Sequence, residues 1–134
     1  MTDTATYLGA NGWLLTMAGL RVLLDPWLSG PLVFPPGAWL LKGEMPELMP
    51  IPDQLDLLLL TQGLPDHAHP ETLQALSKQI PVVASAAAAR VVQRLGFETI
   101  TELRPGDTTT IAGLKIQATA GAAVPAVENG YLLD

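Results

Sequence analysis

An apolar run in the middle of the chain ends abruptly at a loop that holds both of the protein's histidines. Asp56 is followed by four leucines, Leu57 to Leu60, and breaker residues come soon afterwards. Such a run is far too short to cross a membrane, and its polar and breaker boundaries are typical of a buried strand. The sequence therefore predicts a central strand here, with a loop at its carboxyl end.

That loop carries one carboxylate and two imidazoles. Asp66, His67 and His69 lie on it, and Pro70 begins a predicted helix, because proline is tolerated at the first helical position. Open α/β sheets usually build their sites at the carboxyl ends of strands. Asp66, His67 and His69 are therefore candidate metal ligands, and Asp66 is also the candidate catalytic residue. The alternative is that Asp66 caps the helix or its turn while both histidines form hydrogen bonds within the loop.

Length and charge exclude several classes of protein. The 134 residues correspond to a single domain, 1–134, with 49% hydrophobic and only 15% charged residues. A net charge of −6 and seven scattered Lys and Arg residues argue against a nucleic-acid partner. With no cysteine, disulfides and thiolate metal sites are excluded. The first residues lack the features of a signal peptide, and no run approaches a membrane span, so we expect a cytoplasmic protein without a membrane partner.

The opening of the chain predicts a β-hairpin. A first strand is expected from Thr6 to Met17, followed by a tight turn at Ala18-Gly19 and a second strand, Leu20 to Leu24. Asp25 ends this second strand. A carboxylate there can accept hydrogen bonds from neighbouring backbone N–H groups, which favours a structural role near the site.

Residues 29–52 are rich in proline and show no sustained periodicity. A long loop of this composition is unusual in a compact domain unless it is a lid, a binding loop or a contact surface. An ordered loop packed on the core is an equally acceptable interpretation.

The second half of the chain predicts several short elements. Ser85 is a good N-cap for an alanine-rich helix, and Gly96 is suited to end it. The predicted elements are a strand at Pro81–Ala84, a helix at Ala86–Leu95, a strand at Thr99–Leu103, a hairpin of Thr108–Ile111 and Leu114–Thr119, a small-residue loop at Ala120–Pro125 and a strand from Asn129.

The order of these elements resembles the metallo-β-lactamase superfamily of metal-dependent hydrolases. Asp25, in LLDPW, matches the Asp of the family's first motif. The second motif corresponds to Thr61–His67, where Thr61, Asp66 and His67 are kept. Gln62 and Leu64 stand at the two positions where the family places the histidines of its first metal site. The segment expected to carry the third-motif histidine, near residues 119–124, has none.

The resemblance implies both a fold and a function. The fold would be α/β, a mixed β-sheet with helices on one face, equivalent to half of the family's αββα sandwich. Asp66 and His67 would bind zinc or another divalent metal, and Gln62 would contact substrate or water. The implied activity is hydrolysis of a small-molecule ester, lactone, amide or phosphoester. A non-catalytic binding domain, with residues 29–52 as its contact surface, is the alternative function.

The same fold would leave the second face of the sheet apolar and uncovered. Because two such faces could pack together, and twofold dimers are the commonest closed oligomers, we expect a homodimer or a fragment of a longer chain.

Overall fold

The computed structural model describes residues 2–34, 37, 42–44, 49–123 and 127–134. Within these residues the chain forms eleven strands and two helices. The strands are β1 Thr4–Gly9, β2 Gly12–Met17, β3 Leu20–Leu24, β4 Leu32–Val33, β5 Lys42–Gly43, β6 Leu57–Leu60, β7 Val82–Ala84, β8 Ile100–Glu102, β9 Thr108–Ile111, β10 Leu114–Ala123 and β11 Val127–Leu133. The helices are α1 Pro70–Ala75 and α2 Ala86–Arg94.

A six-stranded sheet in the order β1-β2-β3-β6-β7-β8 forms the centre of the molecule. The two pairings at the β1 edge are antiparallel, and the three pairings from β3 to β8 are parallel. All four leucines of β6 are buried, as expected for a strand between two parallel neighbours. The predicted mixed sheet and its central strand are confirmed.

Both helices pack on one face of this sheet. α2 begins at Ser85, whose side chain accepts a hydrogen bond from the backbone N–H of Ala88. Gly96, with φ of 90°, follows the helix and takes the left-handed conformation that commonly ends helices. The core on this side joins sheet residues to helix residues, among them Leu23, Leu58, Leu60, Leu73, Ala88 and Val92.

The other face of the sheet is not uncovered, contrary to the sequence-based expectation. A three-stranded antiparallel sheet, β11-β10-β9, packs over it. This second core contains Val22, Leu57, Leu59, Val83, Leu103, Leu114, Ile116 and Ala118. The alternation of buried Leu114, Ile116 and Ala118 with exposed Lys115 and Gln117 in β10 turns the apolar side of that strand inward. The argument for dimerisation from an uncovered face therefore fails, although dimerisation itself stays a prediction.

Two predicted boundaries are wrong. The expected first strand, Thr6 to Met17, is itself a hairpin, because Ala10 and Asn11 form a turn between β1 and β2. Ala10 has φ of 48°, so an alanine takes a backbone conformation more typical of glycine or asparagine. The small residues from Ala120 to Ala123 continue β10 rather than starting a loop.

Some of the described residues of the 29–52 segment pack against the rest of the domain, while Pro31, Lys42, Glu44, Pro50 and Ile51 are exposed. Leu32 is buried in β4, which pairs with β5, and the backbone N–H of Met49 donates to the carbonyl of Leu28. The other residues of this segment lie outside the described ranges. The suggested role of the segment as a lid or contact surface stays a prediction. In the described part of the chain, neither short helix has the length and apolarity needed to cross a membrane.

Candidate functional site

The parallel strands bring three polar residues to one edge of the sheet. Asp25 follows β3, Thr61 follows β6 and Ser85 follows β7. Since parallel neighbours end on the same side, these residues lie together although 36 positions separate Asp25 from Thr61. This edge is where α/β proteins place ligand sites.

Asp25 joins the ends of β3 and β6. Its side chain is buried, and its backbone has φ of 43°, a left-handed conformation that Asp tolerates better than most residues. The backbone N–H of Thr61 donates to Asp25 Oδ1 at 2.8 Å, and the Thr61 hydroxyl donates to Oδ2. Asp25 Oδ2 is thereby held facing the loop that follows β6.

His67 binds to this carboxylate. Its Nδ1 lies 2.7 Å from Asp25 Oδ2. Because a carboxylate only accepts hydrogen bonds, Nδ1 carries a proton and donates it. In the neutral ring Nε2 is then the unprotonated nitrogen, and it lies 3.5 Å from Asp66 Oδ2. Asp25 therefore fixes both the tautomer and the orientation of His67, as carboxylates behind metal-binding histidines commonly do.

Asp66 is held by a residue that sequence reasoning missed. Asn11 Nδ2, at the tip of the β1–β2 hairpin, donates to the Asp66 carbonyl at 3.1 Å and to Asp66 Oδ2 at 3.3 Å. The same nitrogen lies 3.3 Å from His67 Nε2. Asp66 Oδ1 is buried and has no hydrogen-bond partner among the described residues. One carboxylate oxygen is thus shielded from solvent without a donor.

A second carboxylate near His67 was also missed. Glu128 in β11 is only 1% exposed, and the Ser85 hydroxyl donates to its Oε2 at 2.6 Å. Its other oxygen, Oε1, has no partner in the described part of the chain. The only local signal for Glu128 is a single acidic residue in a strand. Its burial cannot be predicted from neighbouring residues, because it depends on the docking of the second sheet.

The pKa of His67 reflects this acidic surrounding. Burial lowers the pKa, but the hydrogen bond to Asp25 and the charges of Asp25, Asp66 and Glu128 outweigh burial. The pKa of His67 is therefore raised above its ordinary value of 6.5. The surroundings favour a positive charge at this position, either a second proton on the imidazole or a metal cation bound to it.

His69 lies in different surroundings from His67. It is 3% exposed and caps α1, with Nδ1 2.9 Å from the Thr72 hydroxyl and Nε2 2.9 Å from the Pro31 carbonyl. Because the carbonyl only accepts, Nε2 carries the proton and Nδ1 accepts from Thr72. Both ring nitrogens are engaged in the loop, so the structure does not present His69 beside Asp66 and His67 as a third ligand.

Gly63 lets the site loop lie against α2. A Cβ atom at this position would be 2.8 Å from Ala87 Cβ and 2.9 Å from the Ala87 carbonyl carbon. A side chain there would push the loop from the helix, since a backbone atom cannot easily move away. Gln62, the predicted substrate or water contact, is half-buried between Thr61 and Gly63, and its role stays a prediction.

The donors of His67 and Asp66 suit a metal ion in type and spacing. Two ligand atoms about 2.1 Å from one ion at a tetrahedral angle lie about 3.4 Å apart. The 3.5 Å between His67 Nε2 and Asp66 Oδ2 matches this separation. Across the described ranges, however, no three histidine or acidic side chains are grouped closely enough to hold a metal ion. The two residues therefore fit as part of a metal site.

A cleft lies at the opposite edge of the sheet. It encloses about 480 Å³ and is lined by residues that precede β6 and β7, including Asp56, Ile80 and Pro81. Because these residues are at the amino ends of the strands, this cleft is separate from Asp25 and His67.

Comparison with known proteins identifies the family. The chain matches the model of the beta-lactamase superfamily domain over residues 4–130. The protein is therefore a member of the β-lactamase superfamily. The predicted resemblance is confirmed.

Individual relatives agree with this assignment. A metal-dependent hydrolase of Thermoplasma acidophilum is 32% identical over 99 residues, covering 74% of this chain and 38% of the relative. A metal-dependent hydrolase of Herpetosiphon aurantiacus is 28% identical over 132 residues, covering 96% and 51%. The chain thus spans at most about half the length of these two relatives.

A solved structure shows the same fold. The crystal structure of a possible metal-dependent hydrolase from Veillonella parvula superposes with a TM-score of 0.80 at 17% identity. The match covers all of this chain and 58% of that one. At this identity the likeness supports the architecture, and the chain corresponds to part of the larger fold.

Proposed function

We propose that this chain carries part of the active site of a metal-dependent hydrolase, with His67 and Asp66 as metal ligands. The observation that carries the proposal is the arrangement around His67. Its Nδ1 is 2.7 Å from buried Asp25, while its Nε2 is 3.5 Å from the Asp66 carboxylate. Family membership and the metal-dependent hydrolase relatives support the same conclusion.

Each residue of the site has a distinct task. Asp25 keeps the proton of His67 on Nδ1, so the Nε2 lone pair remains available to a ligand. Thr61 orients Asp25 through its backbone N–H and its hydroxyl. Asp66 supplies a carboxylate with one buried, unpartnered oxygen. Together they provide one neutral nitrogen donor and one anionic oxygen donor.

A divalent metal bound there would polarise a carbonyl or phosphoryl oxygen and make a bound water more acidic. One imidazole and one carboxylate are compatible with zinc, and also with iron or manganese. Gln62 and Leu64 replace histidines of the family's first site. In the family, the Asp and the last His of this motif serve a second metal site, so Asp66 and His67 correspond to ligands of that site.

The substrate class follows from the family alone. Hydrolysis of an ester, lactone, amide or phosphoester would use the same polarised oxygen and activated water. The comparisons do not support the alternative of a non-catalytic binding domain.

Metal content tests the proposal directly. The chain would be dialysed separately against zinc, manganese and iron(II), and the bound metal measured by elemental analysis beside an Asp66→Ala, His67→Ala double variant. We expect about one metal per chain for at least one ion, lost in the double variant. Asp53→Ala, which removes an exposed carboxylate elsewhere, is the matched control. No metal in the unmodified chain, or equal metal in the double variant, would contradict the proposal.

A further inference from the structure

The tip of the β1–β2 hairpin places an amide group against both proposed ligands. Asn11 Nδ2 lies 3.3 Å from Asp66 Oδ2 and 3.3 Å from His67 Nε2. It also donates to the Asp66 backbone carbonyl at 3.1 Å. The two side-chain acceptors that Asn11 contacts are the same two atoms that would bind a metal ion.

The chemistry of imidazole makes these two partners exclusive. His67 Nδ1 donates to Asp25, so neutral His67 has a single lone pair, on Nε2. That lone pair can accept a hydrogen bond from Asn11 or bind a metal ion, but it cannot do both. The lone pair of the Asn11 amide nitrogen is delocalised into its carbonyl group, so Nδ2 cannot act as a substitute ligand.

The backbone holds Asn11 in this position. Gly9 at the end of β1 and Ala10 in the turn have φ of 99° and 48°, and the Tyr7 hydroxyl donates to the Ala10 carbonyl at 3.0 Å. The rings of Tyr7 and Trp13 pack across the two strands at 5.1 Å between centroids. These contacts support the hairpin tip, and the Asn11 side chain at its end is half-buried.

We propose that Asn11 controls the access of a metal ion to the Asp66–His67 pair. Its amide competes with the metal for His67 Nε2, and metal binding displaces this contact. This inference rests on the proposed function, because it takes Asp66 and His67 as the ligands. Asn11 is a gating residue here and makes no contact with the reacting atoms.

Substitutions of Asn11 separate the inference from the proposed function. Asn11→Ala removes the competing donor, so zinc affinity measured against a chromophoric chelator should rise about tenfold, the value of one hydrogen bond. Asn11→Asp removes the donor and adds a carboxylate, and should bind zinc more tightly than Asn11→Ala. Gln74→Ala, which removes an exposed amide from α1, is the matched control and should leave the affinity unchanged.

The outcomes distinguish the two proposals. Zinc bound equally by the unmodified chain and Asn11→Ala would overturn the gating role and leave the metal site intact. Zinc bound by Asn11→Ala but only weakly by the unmodified chain supports the inference. No zinc in the unmodified chain or in either Asn11 variant would overturn both.

The unmodified chain provides an independent test if Asn11→Ala fails to fold. In a ¹⁵N-labelled sample, added zinc should shift the side-chain NH₂ resonances of Asn11, and this shift should vanish in His67→Ala. Zinc that binds at His67 while the Asn11 resonances stay in place would contradict the proposal.

Discussion

The two histidines of the site loop are two residues apart, yet they lie in opposite environments. His67 reaches back to Asp25 and keeps Nε2 toward Asp66, whereas His69 has both ring nitrogens bound within the structure. The proton is on Nδ1 in His67 and on Nε2 in His69. One half of the loop is thus arranged to bind a ligand, and the other half anchors the loop to α1.

This difference shows how the fold keeps a reactive group in place. His69 fastens the loop to Pro31 on one side and to Thr72 on the other, next to the Trp27 ring. His67 extends from that anchored segment toward the strand ends. If the two halves of the loop act independently, a substitution in one half should leave the property that depends on the other half unchanged.

Removal of His69 should cost more stability than removal of His67. His69→Ala loses a buried ring and its cap interactions, so we expect a loss of about 3 kcal/mol in the free energy of unfolding. His67→Ala should cost about 1 kcal/mol, since its ring is more exposed. Urea unfolding in the presence of a chelator measures both values. Equal losses would mean that the two histidines share one structural role.

Asp25 should affect metal binding through His67. Asp25→Asn retains the shape and tolerates the left-handed backbone, but it weakens the hydrogen bond that orients the imidazole. We expect zinc affinity to fall by roughly 10- to 100-fold. Asp53→Asn, at an exposed position, is the control. Unchanged affinity in Asp25→Asn would show that His67 does not need this partner.

Thr72 should affect only the anchored half of the loop. Its hydroxyl accepts from the backbone N–H of Leu28 at 2.9 Å and donates to His69. Thr72→Val leaves the buried Leu28 N–H without its acceptor and removes one of the two donors to His69 Nδ1, at a cost of about 2 kcal/mol, while the Thr72 backbone N–H still donates to that nitrogen. Zinc affinity per folded molecule should stay the same. A parallel loss of zinc affinity would show that the halves are coupled.

The smallest expected effect is a dependence of stability on pH. Because the pKa of His67 is raised above 6.5 in the folded chain, its protonated form stabilises the fold. This contribution is complete below the unfolded-state pKa and is lost as the pH rises through the folded-state value. The free energy of unfolding of the unmodified chain, measured with a chelator present across this pH range, should fall as the pH rises. His67→Gln should lack it, and an identical profile would refute the assignment.

The elements that follow from local patterns could be predicted from the sequence. The leucines of β6 and the Ser85 cap of α2 depend on neighbouring residues, and the structure confirms them. The sequence analysis did not predict that the second sheet covers the other face of the central sheet. The pattern of β10 shows which side of that strand is apolar, but not which surface that side packs against.

The site was less predictable for the same reason. Asn11 contacts Asp66 across 55 positions, and Glu128 contacts Ser85 across 43. No local pattern encodes such contacts, since they arise from the meeting of strand ends. The spacing of His67 and His69 likewise gives no sign that their rings face different partners.

The imidazole nitrogen spectrum of the two histidines tests the central claim most directly. Long-range ¹H–¹⁵N correlation distinguishes the protonated nitrogen of each ring, and His67→Gln assigns the signals. At a pH above the folded-state pKa of His67, we predict a proton on Nδ1 of His67 and on Nε2 of His69, with added zinc moving Nε2 of His67 while His69 stays unchanged. The same tautomer in both rings, or a response to zinc centred on His69, would contradict the account.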